Sequence, residues 1–301
     1  MYAITGITGN VGGSVARHLL SAGRSVRAVM RNIDKGSVWA ERGCEVVKAD
    51  IADATSLASA FRGAEAAFVL VPPNFDPIPG FSEAQATAAS LKAALEKAAP
   101  GRVVYLSTIG AQARESNLLT QHTIIEQVLG ELPMPITFLR PAWFMENFRW
   151  DVAAARESGS IMSFLQPLNK PVPMVATADI GREAAKLLQE SWTGRRVVEL
   201  EGPRRLTPDE VANIFAEVLG RRVSMDAVPR ETWEQLFRSQ GMKNPTPRIR
   251  MMDGFNDGWI EFENGDAGPR KGEVALKSVL QALVEREGIR PIPAAVPFSH
   301  N

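Results

Sequence analysis

Three glycines, Gly6, Gly9 and Gly12, follow one another at three-residue spacing behind an apolar run that begins at Tyr2, and Val11, Val15 and Leu19 then recur at helical spacing. The pattern reads as strand, tight turn and helix. Gly6 permits the turn, Gly9 lets backbone N–H groups approach a pyrophosphate, and Gly12 lets the helix lie close to its strand. The helix N-terminus adds unpaired donors and the positive end of its dipole. Gly6, Thr8, Gly9, Asn10, Val11 and Gly12 therefore form a candidate dinucleotide-phosphate cradle.

Arg31 stands 19 positions beyond Gly12, at the end of the alternating run 25–30. An acidic residue there receives the ribose hydroxyls of NAD, whereas a guanidinium accepts a 2′-phosphate. With Asn32 beside it and Lys35 nearby, the position favours NADP(H) over NAD(H). The competing reading leaves Arg31 as a solvated residue at a strand end. Asp50 and Ile51 close the run 45–50 where an adenine edge would lie. Asp50 reads equally as the cap of a helix over 53–62.

Strands expected at 25–30, 45–50, 66–71, 102–107 and 135–140 follow the first one and alternate with helices over 53–62, 82–98 and a segment carrying Ile124, Ile125, Val128 and Leu129. This alternation predicts an α/β protein with a Rossmann-type doubly wound parallel sheet. The nearly continuous apolar run 66–71 suits a strand buried on both faces. Val71 and Pro72 open a proline-rich loop, 72–79, that would wall a crevice at the carboxyl end of that strand. Phe75 and Phe81 either contact a flat substrate there or staple the next helix. Ser107 falls at the carboxyl end of the fifth strand and His122 near the start of the following helix. The sixth strand runs into a stretch carrying Trp143, Phe144 and Asn147.

Beyond Trp150 the alternation weakens. Residues 158–173 show no clear period, and Asp179 is expected to cap a helix over 180–190. Residues 197–200 are strand-like, and Thr207, Pro208 and Glu210 form a helix start with a capping box. Further helices are expected around 231–239, 249–263 and 274–287. Residues 1–150, with 174–200 returning, are expected to form an NADP-binding domain, and 151–173 with 201–301 a smaller, mostly helical C-terminal substrate lobe. Trp233, Phe237, Met251, Met252, Phe255 and Trp259 are candidates to line the cleft beneath that lobe, and most of them are assigned to its core in preference.

Lys plus Arg equals Asp plus Glu at 34 each, so no excess charge calls for a nucleic acid or an anionic membrane. No apolar run approaches the roughly 20 residues that span a bilayer, and no leader precedes the first strand, so a cytoplasmic protein is expected. The single Cys44 excludes an intramolecular disulfide or a CxxC pair. His18, His122 and His300 are too scattered to suggest a metal site.

Segments 5–12, 30–32, 106–111, 139–147 and 178–181 together resemble the NmrA-like branch of the atypical short-chain dehydrogenases. Within that branch the chain is similar to bacterial NADPH quinone oxidoreductases and triphenylmethane dye reductases. The resemblance implies hydride transfer from NADP(H) to a quinone-like or other conjugated planar acceptor, and a functional histidine at His122. Typical short-chain dehydrogenases use a Tyr-x-x-x-Lys pair, because carbonyl reduction needs a proton donor on the developing alkoxide. Here Tyr2 is followed four residues later by Gly6 and Tyr105 by Ile109, and the dyad position holds His122 with Glu126.

A quinone or cationic dye takes hydride into a delocalised product, so positioning carries the catalysis without that pair. His122 then either polarises a quinone oxygen as a neutral imidazole near a helix N-terminus, or makes only a local structural bond. Val71, Pro72 and Ser107 are expected at the nicotinamide, and Phe75, Trp143, Phe144 and Asn147 at the acceptor. The resemblance also covers non-catalytic NADP-binding redox sensors that act through protein contacts. That alternative needs the glycines and Arg31 but no acceptor pocket, and it leaves a homodimer or a regulatory protein partner open.

Overall fold

Six short strands supply most of the sheet: β1 (Tyr2–Thr5), β2 (Val26–Met30), β3 (Glu45–Lys48), β4 (Ala66–Val69), β5 (Val103–Leu106) and β6 (Ile136–Pro141). Between them lie α1 (Asn10–Ser21), α2 (Ser37–Ala40), α3 (Ala54–Phe61), α4 (Ser82–Ala98) and α5 (Thr120–Leu129). The computed structural model describes residues 1–263 and 268–288. His300 and the end of the lobe expected over 201–301 lie outside the described residues.

The chain continues through β7 (Trp143–Phe144), α6 (Val152–Glu157), β8 (Ser160–Ser163), β9 (Met174–Val175), α7 (Thr177–Gln189), β10 (Arg195–Glu201) and α8 (Pro208–Leu219). It ends in β11 (Ser224–Ala227), α9 (Trp233–Ser239), α10 (Thr246–Asp257), β12 (Arg270–Lys271) and α11 (Leu276–Gly288). No helix among the described residues is long and apolar enough to cross a membrane.

Eight strands pair in the order β12-β10-β6-β5-β4-β1-β2-β3, every pair parallel. The chain leaves β1 toward β2 and β3 on one side and returns to β4, β5 and β6 on the other. In sheets of this topology the reversal is where loops diverge and where ligands bind, outside the carboxyl ends of the strands. Thr5 ties the two sides where they part: its hydroxyl accepts from the Leu70 N–H at 2.8 Å and donates to the Phe68 carbonyl at 3.2 Å.

Side-chain alternation assigns each strand to both faces. Tyr2, Ile4, Phe68, Val104 and Leu139 pack on α1 and α7. Ala3, Val69, Tyr105 and Phe138 face α3, α4 and α5. The first of these cores runs on into Trp233, Phe237, Met251, Met252 and Phe255, all buried, with Trp259 half-buried against it.

Three local expectations are corrected. The stretch 158–173 contains β8, which pairs in parallel with β11; only Ile161 and Ser163 turn inward, too short an alternation to see in sequence. The helix expected over 249–263 starts earlier and stops at Asp257, where Gly258 at φ +87° ends it. Asp179 does not cap its helix, which begins at Thr177. Its buried carboxylate accepts from the N–H groups of Glu273 and Val274 at 3.0 and 2.9 Å and from Arg182 at 2.7 Å, pinning the approach to α11.

Candidate functional site

At the end of β1 the chain turns through Gly6, whose φ of +63° suits glycine, and the Gly9 N–H donates to the Gly6 carbonyl at 3.0 Å. A Cβ on Gly12 would lie 2.3 Å from the Gly6 oxygen and 2.5 Å from its carbonyl carbon, so packing alone demands a glycine there. Gly9 differs: a Cβ would meet that oxygen at an ordinary 3.4 Å. Its missing side chain keeps open the space before α1, whose N-cap it forms without any side-chain capping bond. Thr8, Gly9 and Asn10 are exposed, whereas Val11 and Gly12 are buried. The first-turn N–H groups thus remain available to an anion.

Arg31 is exposed directly after β2. Asn32 is occupied locally, its side chain accepting from the Asp34 N–H at 2.9 Å. Asp50 is not the cap of α3. That role belongs to Asp53, which accepts from Thr55 and Ser56, while Asp50 closes a turn by accepting from Ala52 at 2.9 Å. Ile51 and Val71 are half-buried and Pro72 exposed, all beyond the carboxyl ends of their strands.

Two buried polar relays lie where β5, α5 and β6 meet. In the first, the Ser107 hydroxyl donates to Glu126 at 2.5 Å, and Arg140 forks onto the same carboxylate at 2.9 and 2.5 Å. Arg140 also reaches Glu263 at 2.7 Å and Gln112 at 3.2 Å. Ser107, Glu126 and Arg140 are all buried, so each charge is offset by a partner instead of by water. In the second relay the Tyr105 hydroxyl lies 2.8 Å from His122 Nδ1. Burial lowers His122 to about 4 and raises Tyr105 well above its usual value, so both are neutral at pH 7. Burial, and not the helix start, is the cause of the lowered His122 value.

The loop after β4 is tied to the segment between α9 and α10 and to α5. Asp76 accepts from the backbone N–H groups of Lys243 and Asn244 at 2.8 and 2.6 Å, Asn244 donates back to the Pro77 carbonyl at 2.7 Å, and Gln121 on α5 donates to the Asn74 carbonyl at 2.9 Å. Phe75 on this loop is 48% exposed, while Phe81 is buried at φ +56° just before α4. Trp143 and Phe144 are half-buried in β7, which pairs with β9, and Trp143 meets Phe255 of α10 edge-on at 5.4 Å. Asn147 is exposed, and its neighbour Glu146 accepts from the Thr177 N–H and hydroxyl.

Sequence reading missed Tyr105, Arg140 and Asp76 as members of this region. Arg140 carried a signal, since a cation closing an apolar strand run requires a buried partner. Among the described residues no cluster of three or more His, Cys, Asp or Glu side chains forms a metal-ligand set.

An open parallel sheet reversing beside a glycine turn defines a Rossmann-type α/β protein. The NmrA-like family model matches residues 2–263, and the chain belongs to that family. It is 28% identical over 245 residues to an NAD(P)H azoreductase of Xenophilus azovorans, covering 80% of this chain and 82% of that protein. It is 25% identical over 277 residues to quinone oxidoreductase 2 of Escherichia coli K12, covering 90% and 89%. Triphenylmethane reductase of a Citrobacter species is similar in structure with a TM-score of 0.77 at 25% identity, covering 94% of this chain and 99% of that one. The same reductase complexed with NADP(H) gives 0.72 at 26% identity, covering 95% and 99%.

Proposed function

We propose that the chain is an NADPH-dependent reductase that passes hydride to a quinone-like or other conjugated planar acceptor without a Tyr-x-x-x-Lys pair. The observation that carries this reading is the state of the dyad position. It holds a neutral, half-buried His122 and a Glu126 already committed to Ser107 and Arg140. The neutral imidazole is not a protonated acid at neutral pH, and the Glu126 carboxyl is already taken up by Ser107 and Arg140, which suits an acceptor whose reduced form is delocalised. The relatives named as azoreductase, quinone oxidoreductase and triphenylmethane reductase support the same acceptor chemistry.

The open space at Gly9 and the uncapped start of α1 fit a pyrophosphate, and the exposed Arg31 fits a 2′-phosphate. Gly6, Thr8, Gly9, Asn10, Val11, Gly12 and Arg31 would hold NADP(H), with Asp50 and Ile51 toward the adenine and Val71, Pro72 and Ser107 toward the nicotinamide. The bound cofactor supplies the hydride. Within this reading His122 donates a hydrogen bond to the acceptor oxygen, and Trp143 and Phe144 give the acceptor an apolar wall, with Asn147 at its edge. Phe75 stands at the outer rim.

The test is steady-state oxidation of NADPH and NADH by the purified chain against a panel of quinones and triarylmethane dyes, with oxygen controls. Saturable turnover that prefers NADPH is expected. Tight NADPH binding with no turnover on any acceptor would assign the chain to the redox-sensor class instead.

A further inference from the structure

We propose that Tyr105 is a positioning residue that holds His122 as the Nε2–H tautomer, so that the ring offers the crevice a fixed hydrogen-bond donor. Its catalytic consequence rests on the reductase reading above. Tyr105 is fully buried within β5, and its ring packs edge-on against Phe138 at 6.3 Å and tilted against His122 at 6.0 Å. Among the described residues the phenol has one hydrogen-bond partner, the Nδ1 atom 2.8 Å away. Were Nδ1 to carry the proton, the phenol hydrogen would be buried with no acceptor, which is the costly arrangement. The phenol therefore donates, Nδ1 accepts, and a neutral ring must place its proton on Nε2.

Other charges near the pair leave this assignment intact. Glu126 stands one turn further along α5 and disfavours a phenolate at Tyr105, and its own oxygens are engaged by Ser107 and Arg140. Nε2 has no protein partner among the described residues. His122 is half-buried, and its helix neighbours reach the loops after β4 and β5: Gln121 donates to the Asn74 carbonyl, and Thr123 to the Ala111 carbonyl at 2.6 Å. Ser107 has the opposite polarity, because its hydrogen is given to Glu126 and its oxygen can only accept. The two side chains then carry one donor and one acceptor whose senses are fixed by their buried partners, and a carbonyl oxygen matches the histidine.

The test is long-range ¹H–¹⁵N correlation of the imidazoles in the ¹⁵N-labelled full chain at pH 7, with His122 assigned by loss of its signals in His122→Gln. The wild-type chain should show Nδ1 unprotonated and Nε2 protonated. A wild-type Nδ1 that is protonated overturns the proposal, whatever any variant does. Tyr105→Phe should shift His122 toward the mixed tautomers of a free ring and lower kcat with a quinone about tenfold, the loss of one hydrogen bond, leaving the KM for NADPH within about twofold. A Tyr105→Phe chain identical to wild type in spectrum and kcat also overturns it. The expected wild-type spectrum with no turnover on any acceptor overturns the reductase reading alone.

Discussion

One oxygen of Glu126 accepts both the Ser107 hydroxyl at 2.5 Å and the Arg140 Nε at 2.9 Å, which ties the carboxyl ends of β5 and β6 to the middle of α5. Removing the cation leaves a buried carboxylate without its counter-charge. Arg140→Ala should cost about 3–5 kcal/mol of stability, and Ser107→Ala about 1 kcal/mol. Urea unfolding of both variants reads the contrast, and equal costs would show that the fork is not what holds the carboxylate.

Gly12 and Gly9 separate packing from binding. A Cβ at Gly12 strikes backbone atoms that cannot yield, so Gly12→Ala should lose about 1–3 kcal/mol of stability even without ligand. Gly9→Ala should melt within a few degrees of wild type and lose affinity for NADPH. Thermal melts paired with NADPH titration by fluorescence check both.

Arg31→Ala should weaken NADPH by about tenfold or more, the worth of a charge-assisted bond, and NADH by less than about twofold. Equilibrium titration with each nucleotide measures the two constants. Equal losses would remove Arg31 from the 2′-phosphate assignment.

Asp151, half-buried at the start of α6 with no capping bond from its side chain, is pushed up by burial from 3.8 to about 7. The folded chain then holds this proton where the unfolded chain has lost it. The associated stability is full below about pH 4 and disappears as pH rises through 7. Asp151→Asn should therefore be more stable than wild type by at least about 1 kcal/mol at pH 8 and nearly equal at pH 4, compared by urea unfolding at the two pH values.

His122 has the reverse slope. Its value of about 4 lies below the ordinary 6.5, so the unfolded chain takes up the proton first and stability falls as pH drops from about 6.5 toward 4. His122→Gln should remove about 2–3 kcal/mol of that acid-side loss, read from the difference between pH 7 and pH 4 unfolding curves.

Features that depend on neighbours in sequence were legible. The glycine turn, the parallel-sheet strands and the capping box, with Thr207 accepting from Glu210 at 3.1 Å and Glu210 from Thr207 at 2.8 Å, all follow from local pattern. Features that join distant segments were not. Asp179 finds its backbone donors 94 and 95 positions away, and Asp76 finds its own 167 and 168 away. A carboxylate aimed at backbone N–H groups needs no particular residue at the far end, so no sequence pattern announces the partner. Tyr105 escaped for a related reason: an aromatic in an apolar strand reads as packing, and only the fold brings its hydroxyl to His122.

The unbroken apolar core from Ile4 and Val15 through Phe148 to Trp233, Phe237 and Leu280 has a consequence for how the molecule comes apart. Among the described residues one apolar cluster joins the sheet face to the helices that follow it, so parting them exposes interior surface instead of opening a wetted joint. The two should melt in one cooperative transition, and protection of their amides against hydrogen exchange should be lost at a common free energy.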